Sequence, residues 1–187
     1  GTLEKDIPTC AEEAKSFGTK YIVITGMYRF DYGSEAAVRE LAQRLNKAGK
    51  ALKEQGIELL YHNHNCELRK VNTAQTAYDV LLEETDPSYV NFEFDSYWCA
   101  DAGCDPLAEM QKLGNRMKLW HINDRGCRKA GFTPIYKMDS MELSTGTMNL
   151  TALLEQAKKN DCDAVILESH RNWIEKSPVK SFQRSAQ

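Results

Sequence analysis

Histidine and carboxylate side chains follow a short apolar run early in this sequence. The run 57-IELL-60 leads directly into 61-YHNHNCE-67, which carries His62, His64 and Glu67. Imidazole and carboxylate groups bind divalent cations and exchange protons near neutral pH. The stretch therefore indicates a metal site or an acid–base site at the point where a buried strand ends.

Other apolar runs end in the same way. Their endings are 92-FEFD-95, 119-LWHIND-124, 141-MEL-143 and 167-LESH-170. Asp95, His121 and Glu168 come from separate runs, and together they form an oxygen and nitrogen set suited to Mn²⁺, Mg²⁺, Fe²⁺, Co²⁺ or Zn²⁺. Carboxylates that converge without a cation repel one another and lose hydration. The repetition favours a metal site, although each residue taken singly could be a cap or a solvated loop residue.

Strand alternation predicts which of these groups share a face. In 90-VNFEFD-95 apolar and polar residues alternate, so Glu93 and Asp95 lie on one face. By the same rule His62 and His64 share a face. A strand between two apolar layers would be apolar on both faces, whereas a barrel strand can turn a polar face toward the lumen.

The elements that must position these residues alternate between strand and helix. Apolar, β-branched runs predict strands at 20–27, 57–64, 89–95, 117–124, 163–170 and, most weakly, 140–146. Caps and helical spacing predict helices from Ser34 to Glu54, from Asn72 or Thr73 to before Asp86, over 105–114 and 149–160, and from Pro178 onward. Strands separated by helices predict parallel βαβ units. An open doubly wound sheet and a (β/α)8 barrel both fit, although a barrel usually takes about 250 residues and this chain has 187.

Composition narrows the classes of partner and location. A net charge of -3 without a basic stripe argues against nucleic acid. No apolar run approaches the ~20 residues that span a bilayer, so no membrane partner is expected. The first residues lack the apolar core of a signal peptide, and six scattered cysteines are typical of reduced thiols. These features predict a cytoplasmic protein.

Five segments, in this order, resemble motifs of the sugar phosphate isomerase/epimerase family, whose fold is the xylose-isomerase-like TIM barrel and whose superfamily includes AP endonuclease 2, inosose dehydratases and tagatose epimerases. They are 61-YHNHNCEL-68, 93-EFDSYWCADAGCDP-106, 118-KLWHINDR-125, 142-ELSTGTMNL-150 and 167-LES-169. The resemblance implies an α/β fold of the (β/α)8 TIM-barrel type, with about six parallel strands present and the first two βα units lacking. We therefore expect residues 1–187 to form a single, N-terminally incomplete barrel domain: a fragment, a truncated product, or a barrel completed by another chain.

The resemblance also implies a set of metal ligands and proton-transfer groups. Its divalent metal is Mn²⁺ or Mg²⁺, with Mn²⁺ expected first and Co²⁺, Fe²⁺ or Zn²⁺ as alternatives. The ligands carried over by motif are Glu67, Asp95, His121 and Glu168. His62 is the alternative to Glu67, because relatives with a glutamate at the strand end align it with His62. His64 and Glu168 are the expected proton-transfer residues, with His62 beside them.

Further residues at the strand ends are expected to contact a substrate, namely Trp98, Asn123, Asp124, Glu142 and His170. Three departures from the family pattern predict a changed substrate. Asn123 stands where lysine is usual, Ser144 replaces the first glycine of a glycine loop, and His170 and Arg171 follow Glu168 where aspartate is more common. The loop 144–150 could hold a phosphate at backbone N–H groups, although an ordinary turn capped by Asn149 is favoured.

The function implied is a divalent-metal-dependent isomerase or epimerase of a sugar, sugar phosphate or keto-sugar. A base would remove the proton next to a carbonyl, the metal would stabilise the enediolate, and an acid would return the proton or expel a β-substituent. The partner is then a small sugar or sugar derivative, and a homo-oligomer is allowed. The alternatives are a non-catalytic or regulatory sugar-binding module, a metal-dependent endonuclease of the same barrel group, and a structural domain whose strand-end residues are only caps.

Overall fold

A curled sheet of parallel strands forms the centre of the structure. This computed structural model describes residues 2–26, 29–129, 131–132, 134 and 136–187, with the side chains of Thr2 and Glu4 excepted. The parallel strands are β1 (Tyr21–Ile24), β2 (Glu58–His62), β3 (Val90–Asp95), β4 (Met117–Ile122) and β7 (Ala164–Leu167), paired in that order. A separate antiparallel hairpin joins β5 (Asp124–Arg128) to β6 (Lys137–Met141). The sheet is half of a barrel, which confirms the predicted fold class.

Helices cover the outer face of the sheet and cross between its strands. They are α1 (Thr2–Lys5), α2 (Ile7–Ser16), α3 (Glu35–Glu54), α4 (Ala77–Glu84), α5 (Ser96–Asp101), α6 (Pro106–Leu113), α7 (Leu150–Lys159) and α8 (Pro178–Ser185). Ser34, Asp105 and Asn149 cap α3, α6 and α7 as expected. None of the helices in the described part of the chain is long and apolar enough to cross a membrane.

Two of the predicted elements are wrong in their position or pairing. The weakest predicted strand, 140–146, does not join the parallel sheet, which has five strands instead of about six. The strand in this region is Lys137–Met141, which pairs antiparallel with β5. The connection between these two strands is too short for the helical crossover that parallel pairing requires. The helix predicted from Asn72 or Thr73 begins at Ala77, because Thr76 and Asp79 form a capping box.

The curl of the sheet brings its two edge strands together at one end. Lys20, just before β1, lies with its Nζ 2.9 Å from Oδ2 of Asp163, just before β7. The hydroxyl of Tyr21 donates to the same carboxylate. Neither β1 nor β7 has a strand on its outer side among the described residues. The carboxyl ends of all five strands therefore face one shared opening.

Candidate metal centre

Four strand ends each contribute one side chain to a compact cluster. His62 ends β2, Asp95 ends β3, His121 lies near the end of β4 and Glu168 follows β7. One possible ligand atom from each lies within 4.8 Å of the others. The strand register explains the convergence, because Asp95 pairs with His121 across β3 and β4. Parallel strands that end at the same edge bring such side chains together.

The two histidines of this cluster hold buried ring nitrogens that lack a partner. Nδ1 of His62 and Nδ1 of His121 make no hydrogen bond with any described residue. Nδ1 of His121 lies 3.5 Å from Oε2 of Glu168 and 3.8 Å from Oδ2 of Asp95. Leaving a buried polar atom unpaired is costly. Two imidazoles and two carboxylates suit a divalent transition metal. The four residues therefore fit a divalent cation such as Mn²⁺ or Zn²⁺.

The pKa values in the cluster reflect burial and crowded negative charge. Burial raises the pKa of Asp95, and the neighbouring Glu168 carboxylate raises it further. Burial works against ionisation of Glu168, but the neighbouring His121 and Asp95 side chains outweigh burial and lower its pKa. Burial likewise opposes the charged form of His121, yet the surrounding carboxylates raise its pKa. The cluster therefore favours positive charge, and a cation can supply it.

Local hydrogen bonds fix Asp95 in place. Its Oδ1 accepts the backbone N–H of Trp98 at 2.8 Å and so caps α5. The side chain of Asn63, which follows β2, holds the same residue: its Oδ1 accepts the Asp95 N–H at 2.9 Å and its Nδ2 donates to the Asp95 carbonyl at 3.1 Å. The carboxylate is thus oriented by groups that are not themselves part of the cluster.

A further carboxylate, Glu93, contacts both histidines of the cluster. Its Oε1 lies 3.1 Å from Nδ1 of His62 and 3.2 Å from Nε2 of His121. Glu93 is only 5% exposed. It was not among the residues predicted for the site, although the alternation in β3 places it on the same face as Asp95. That alternation is the signal that could have found it.

Glu67 lies outside the cluster, in the turn that follows β2. Its Oε1 accepts the hydroxyl of Tyr61 at 2.8 Å. Its Oε2 accepts the backbone N–H of His64 at 2.9 Å and the thiol of Cys66 at 3.1 Å. Both oxygens of this fully buried carboxylate are therefore bonded to neighbouring residues of the same segment. The fourth side chain of the converging set is His62.

A cavity of about 260 Å³ opens beside the cluster. Its lining residues are His64, Tyr97, Trp98, Asn123, Ser140, His170 and Arg171. Four of these, His64, Trp98, Asn123 and His170, were predicted as proton-transfer or substrate-contacting residues. The lining combines aromatic rings with hydrogen-bonding side chains, which suits a small hydroxylated molecule.

The ring of His64, in the cavity wall, packs edge-on against the ring of His62. The two ring centroids are 5.0 Å apart, and the ring of Trp98 lies 5.5 Å from that of His64. Burial, together with the neighbouring His62, lowers the pKa of His64. His64 is therefore neutral near pH 7 and able to accept a proton. On the other side of the cavity, Nε2 of His170 lies 3.1 Å from Oε2 of Glu168.

Asp124 holds a loop and does not line the cavity. Its carboxylate accepts the backbone N–H groups of Gly146 at 2.8 Å and Met148 at 3.2 Å. The internal carboxylate thus occupies two amides of the loop 144–150, and the amides of Thr145, Thr147 and Leu150 bind backbone carbonyls. Asn149 caps the following helix through the N–H of Ala152 at 3.2 Å, as the turn interpretation predicts.

Glu142 is bound to the last helix. Its Oε1 accepts the hydroxyl of Ser181 at 2.7 Å, and its Oε2 lies 3.6 Å from Nη2 of Arg128. It is not among the described residues that line the cavity. Asp124 and Glu142, both predicted to contact a substrate, instead bind the loop before α7 and the helix α8, respectively.

Tyr97, Ser140 and Arg171 line the cavity although they were not predicted as site residues. Nε of Arg171 donates to Oδ1 of Asp139 at 2.8 Å, and its Nη2 donates to the Tyr97 hydroxyl at 3.2 Å. Nδ2 of Asn123 donates to Oγ of Ser140 at 2.9 Å. Arg171 carried a signal in the sequence, because it departs from the family pattern after Glu168.

Comparisons with known proteins identify the family and agree with this fold. A family profile described as a xylose isomerase-like TIM barrel matches residues 5–187. An inosose dehydratase of Clostridium tetani is 35% identical over 91 residues, which are 49% of this chain and 30% of that enzyme. A solved sugar phosphate isomerase/epimerase from Parabacteroides distasonis is 27% identical, with a TM-score of 0.74 over 98% of this chain and 63% of that chain.

A second solved structure, the IolI protein with a bound zinc atom, is 18% identical with a TM-score of 0.71, over 95% of this chain and 64% of that chain. The chain thus spans less than two thirds of the length of each of these three relatives. The family profile nevertheless covers almost all of it. The chain belongs to the xylose isomerase-like TIM barrel family.

Proposed function

We propose that this chain provides the catalytic site of a divalent-metal-dependent sugar isomerase or epimerase that moves a proton next to a carbonyl. The observation that carries the proposal is the cluster of two histidines and two carboxylates beside a cavity lined by aromatic and hydrogen-bonding side chains. The similar proteins named above, an inosose dehydratase and a sugar phosphate isomerase/epimerase, support a small sugar or keto-sugar as the substrate. Loss of a β-substituent, as in a dehydratase, would begin with the same proton transfer.

His62, Asp95, His121 and Glu168 would hold the cation. His62 is proposed in place of Glu67, because the Glu67 carboxylate is engaged by Tyr61 and His64. Mn²⁺ is our first choice, and zinc, which IolI binds, suits the same donor set. A bound cation would polarise the substrate carbonyl and stabilise the negative charge that develops on its oxygen when the adjacent C–H loses its proton.

The proton itself would be moved by groups of this chain. His64 lines the cavity and has a lowered pKa, so its ring can take a proton from carbon. Glu168 has a lowered pKa and is ionised, so it is the second acceptor, and His170 orients it through their 3.1 Å contact. An epimerase needs a base on one face of the carbon and a protonated acid on the other, so one of these two residues would remove the proton and the other, once protonated from solvent, would return one.

The remaining cavity residues would bind and orient the sugar. The Trp98 ring lies between His64 and His170, with ring centroids 5.5 Å and 6.2 Å away, and offers an apolar face to a sugar ring. Asn123, Ser140 and Tyr97 offer hydrogen-bonding groups for hydroxyls. The pairing of Arg171 with Asp139 leaves its charge largely compensated.

Hydrogen exchange in D₂O tests this function. The purified chain is incubated with a panel of ketoses and keto-inositols, with and without Mn²⁺, and deuterium uptake next to the carbonyl is followed by NMR. We expect Mn²⁺-dependent uptake that falls about 10²- to 10⁴-fold in His64→Gln, the loss typical of a missing general base. Metal content by elemental analysis should stay unchanged in that variant.

Loss-of-metal variants complete the test. Asp95→Ala and His121→Ala should lose both bound metal and exchange. Full metal content in both variants would refute the ligand set. Sugar binding without any exchange would point to a non-catalytic binding module.

A further inference from the structure

Glu67 is a buried carboxylate that the proposed metal site and proton transfers do not use. It is fully buried and lies in the short helical turn Cys66–Leu68 that follows β2. The proposed base His64 lies three positions earlier in the same stretch. Because a buried carboxylate is costly unless it is hydrogen-bonded, its bonding partners indicate what it does for this turn.

The hydrogen bonds of Glu67 come from its own segment. Oε2 accepts the backbone N–H of His64 at 2.9 Å and the thiol of Cys66 at 3.1 Å. Oε1 accepts the hydroxyl of Tyr61 at 2.8 Å. That hydroxyl also bonds to the hydroxyl of Tyr32, 2.8 Å away, which lies between β1 and α3. The carboxylate thus ties the backbone of His64 to the end of β2 and to the neighbouring segment after β1.

The imidazole of His64 depends on this backbone for its place at the cavity. None of the hydrogen bonds between described residues involves its ring. The ring packs against the rings of His62 and Trp98, with centroids 5.0 Å and 5.5 Å away. A shift of about 1 Å at a reacting group can cost about 10²-fold in rate. The bond from the His64 N–H to Glu67 therefore bears on the reaction although Glu67 does not line the cavity.

Gly26, two residues after β1, lies against both side chains. A Cβ at this position would lie 3.0 Å from Oε1 of Glu67 and 3.2 Å from Nδ1 of His64. These distances are shorter than ordinary carbon contacts, so there is little room for a further carbon atom. The glycine therefore allows Glu67 and His64 to take the places that they have in this structure.

We propose that Glu67 is a positioning residue that holds the imidazole of His64 at the cavity through the backbone of the turn. This inference rests on the proposed function for the role of His64 as a base, but the bond to the turn can be measured in the protein alone. The effect of Glu67 on the reaction then passes through His64 and not through the metal.

Hydrogen exchange of the His64 backbone amide tests the bond in the metal-free protein. Glu67→Leu removes the acceptor with a side chain of similar size. Glu67→Gln keeps one acceptor oxygen, and the Tyr61 hydroxyl can accept from the amide nitrogen that replaces the other. We expect NMR to show at least about tenfold faster exchange of this amide in the leucine variant and little change in the glutamine variant. An unchanged rate in the leucine variant would overturn the proposal.

The rate of proton transfer from the substrate gives the second readout. It is measured in D₂O with Mn²⁺ and a ketose or keto-inositol that exchanges with the unaltered chain. We expect Glu67→Leu to lower kcat about 10- to 100-fold with little change in KM or in the Kd of Mn²⁺, and Glu67→Gln to keep most of the rate. Glu109→Leu, which removes a partly buried carboxylate paired with Lys112 on α6, is the matched control and should keep kcat.

A His64→Gln background separates positioning from general damage to the fold. If Glu67 acts through His64, Glu67→Leu should cost no further rate once His64 is replaced. An equal loss of rate in both backgrounds would overturn the proposal.

A second variant keeps the test open if Glu67→Leu does not fold, as judged by circular dichroism. Gly26→Ala places a methyl group against Glu67 and His64 and should lower kcat while the Kd of Mn²⁺ stays the same. Full kcat in Gly26→Ala, together with a fast-exchanging His64 amide in the unaltered chain, would overturn the role of Glu67.

The two proposals can fail separately. A chain that exchanges no substrate proton would refute the proposed function, while the His64 amide would still support or overturn the hold of Glu67 on the turn. A chain that exchanges substrate protons equally fast with glutamate or leucine at position 67 would overturn the role of Glu67 and leave the proposed function standing.

Discussion

His62 and Glu67 have different surroundings although they lie in the same short stretch of sequence. His62 contributes to the cluster with Asp95, whereas Glu67 is bonded within its own turn. We expect His62→Leu to abolish tight Mn²⁺ binding, because a ligand is lost. Glu67→Gln should still bind Mn²⁺ but lower the free energy of unfolding by about 1–3 kcal/mol, because a buried hydrogen-bonded carboxylate is altered. Titration calorimetry and urea unfolding measure the two effects.

Comparison of His62→Leu with Glu67→Gln decides which of the two residues is a metal ligand. If Glu67→Gln lost Mn²⁺ while His62→Leu retained it, the assignment would have to be exchanged. An equal loss in both variants, with both proteins folded, would mean that the turn as a whole shapes the site.

The strand-end residues could be predicted because an apolar run that stops at a ligand-type side chain is visible in sequence. Asp95, His121 and Glu168 were found in this way, and the structure brings them together. Alternation no longer applies once a strand stops. Because β2 ends at His62, the face of His64 and the path of Glu67 are set by the following turn.

At the scale of elements, the hairpin β5–β6 shows what the sequence leaves open. The segment 124-DRGCR-128 contains no apolar run that would predict a strand. Its pairing with Lys137–Met141 rests on backbone hydrogen bonds, which the amino-acid composition does not predict. The loops around Asp124 and Glu142 were therefore assigned to substrate contact. Their internal hydrogen bonds can be recognised only once the partners, Gly146 and Ser181, are placed.

The packing of α3 against the segment before β3 depends on Gly49. A Cβ at this position would lie 2.2 Å from the carbonyl oxygen of Tyr89. Alanine in place of glycine usually stabilises a helix interior by about 1 kcal/mol, but here we expect Gly49→Ala to destabilise the fold by about 1–3 kcal/mol through overpacking. Urea unfolding measures the change, with exposed Lys50→Ala on the same helix as the control, expected within about 0.5 kcal/mol.

A gain of stability in Gly49→Ala would mean that α3 can move away from Tyr89 without cost. The predicted sign is therefore the informative part of the measurement, because helix propensity and close packing point in opposite directions.

The loop between β6 and α7 depends on Gly146 in a similar way. A Cβ here would lie 2.4 Å from Oδ1 of Asp124 and 2.6 Å from the carbonyl oxygen of Arg125. We expect Gly146→Ala to lower the free energy of unfolding by about 1–3 kcal/mol, and to cost less when Asp124→Ala is already present, because the closest atom, Oδ1 of Asp124, is then gone while the Arg125 carbonyl remains. A double-mutant cycle by urea unfolding measures this coupling.

Thr151→Ala, exposed in the first turn of α7, is the control for this loop and should stay within about 0.5 kcal/mol of the unaltered chain. Additive costs of Gly146→Ala and Asp124→Ala would contradict the contact between the two residues.

At the scale of the whole molecule, the candidate cluster links the edge strand β7 to the three central strands. β7 pairs with β4 alone among the described strands, and Glu168 follows its last residue. A cation held by all four side chains would therefore connect elements that are far apart in the chain. Metal binding should therefore increase the stability of the whole fold as well as order the site.

Mn²⁺ should raise the melting temperature of this chain. A ligand that binds only the folded state at about 100 times its Kd adds about 2.7 kcal/mol, and about 2–4 °C per kcal/mol is typical for a domain of this size. We expect a rise of about 5–10 °C by calorimetry, reversed by EDTA. Asp95→Asn should lose most of this rise, because it removes a ligand charge while asparagine can still cap α5.

Without metal, the Asp95→Asn variant should no longer be the less stable of the two proteins. Asp95 is buried next to Glu168, and burial and that neighbouring charge both raise its pKa, so the ionised carboxylate is disfavoured in the folded state. We therefore expect metal-free Asp95→Asn to melt at or above the unaltered chain, with exposed Glu155→Gln on α7 as a neutral control. A metal-free Asp95→Asn protein that melts well below the unaltered chain would show that Asp95 supports the fold directly, and an unchanged Mn²⁺ shift in it would remove Asp95 from the ligand set.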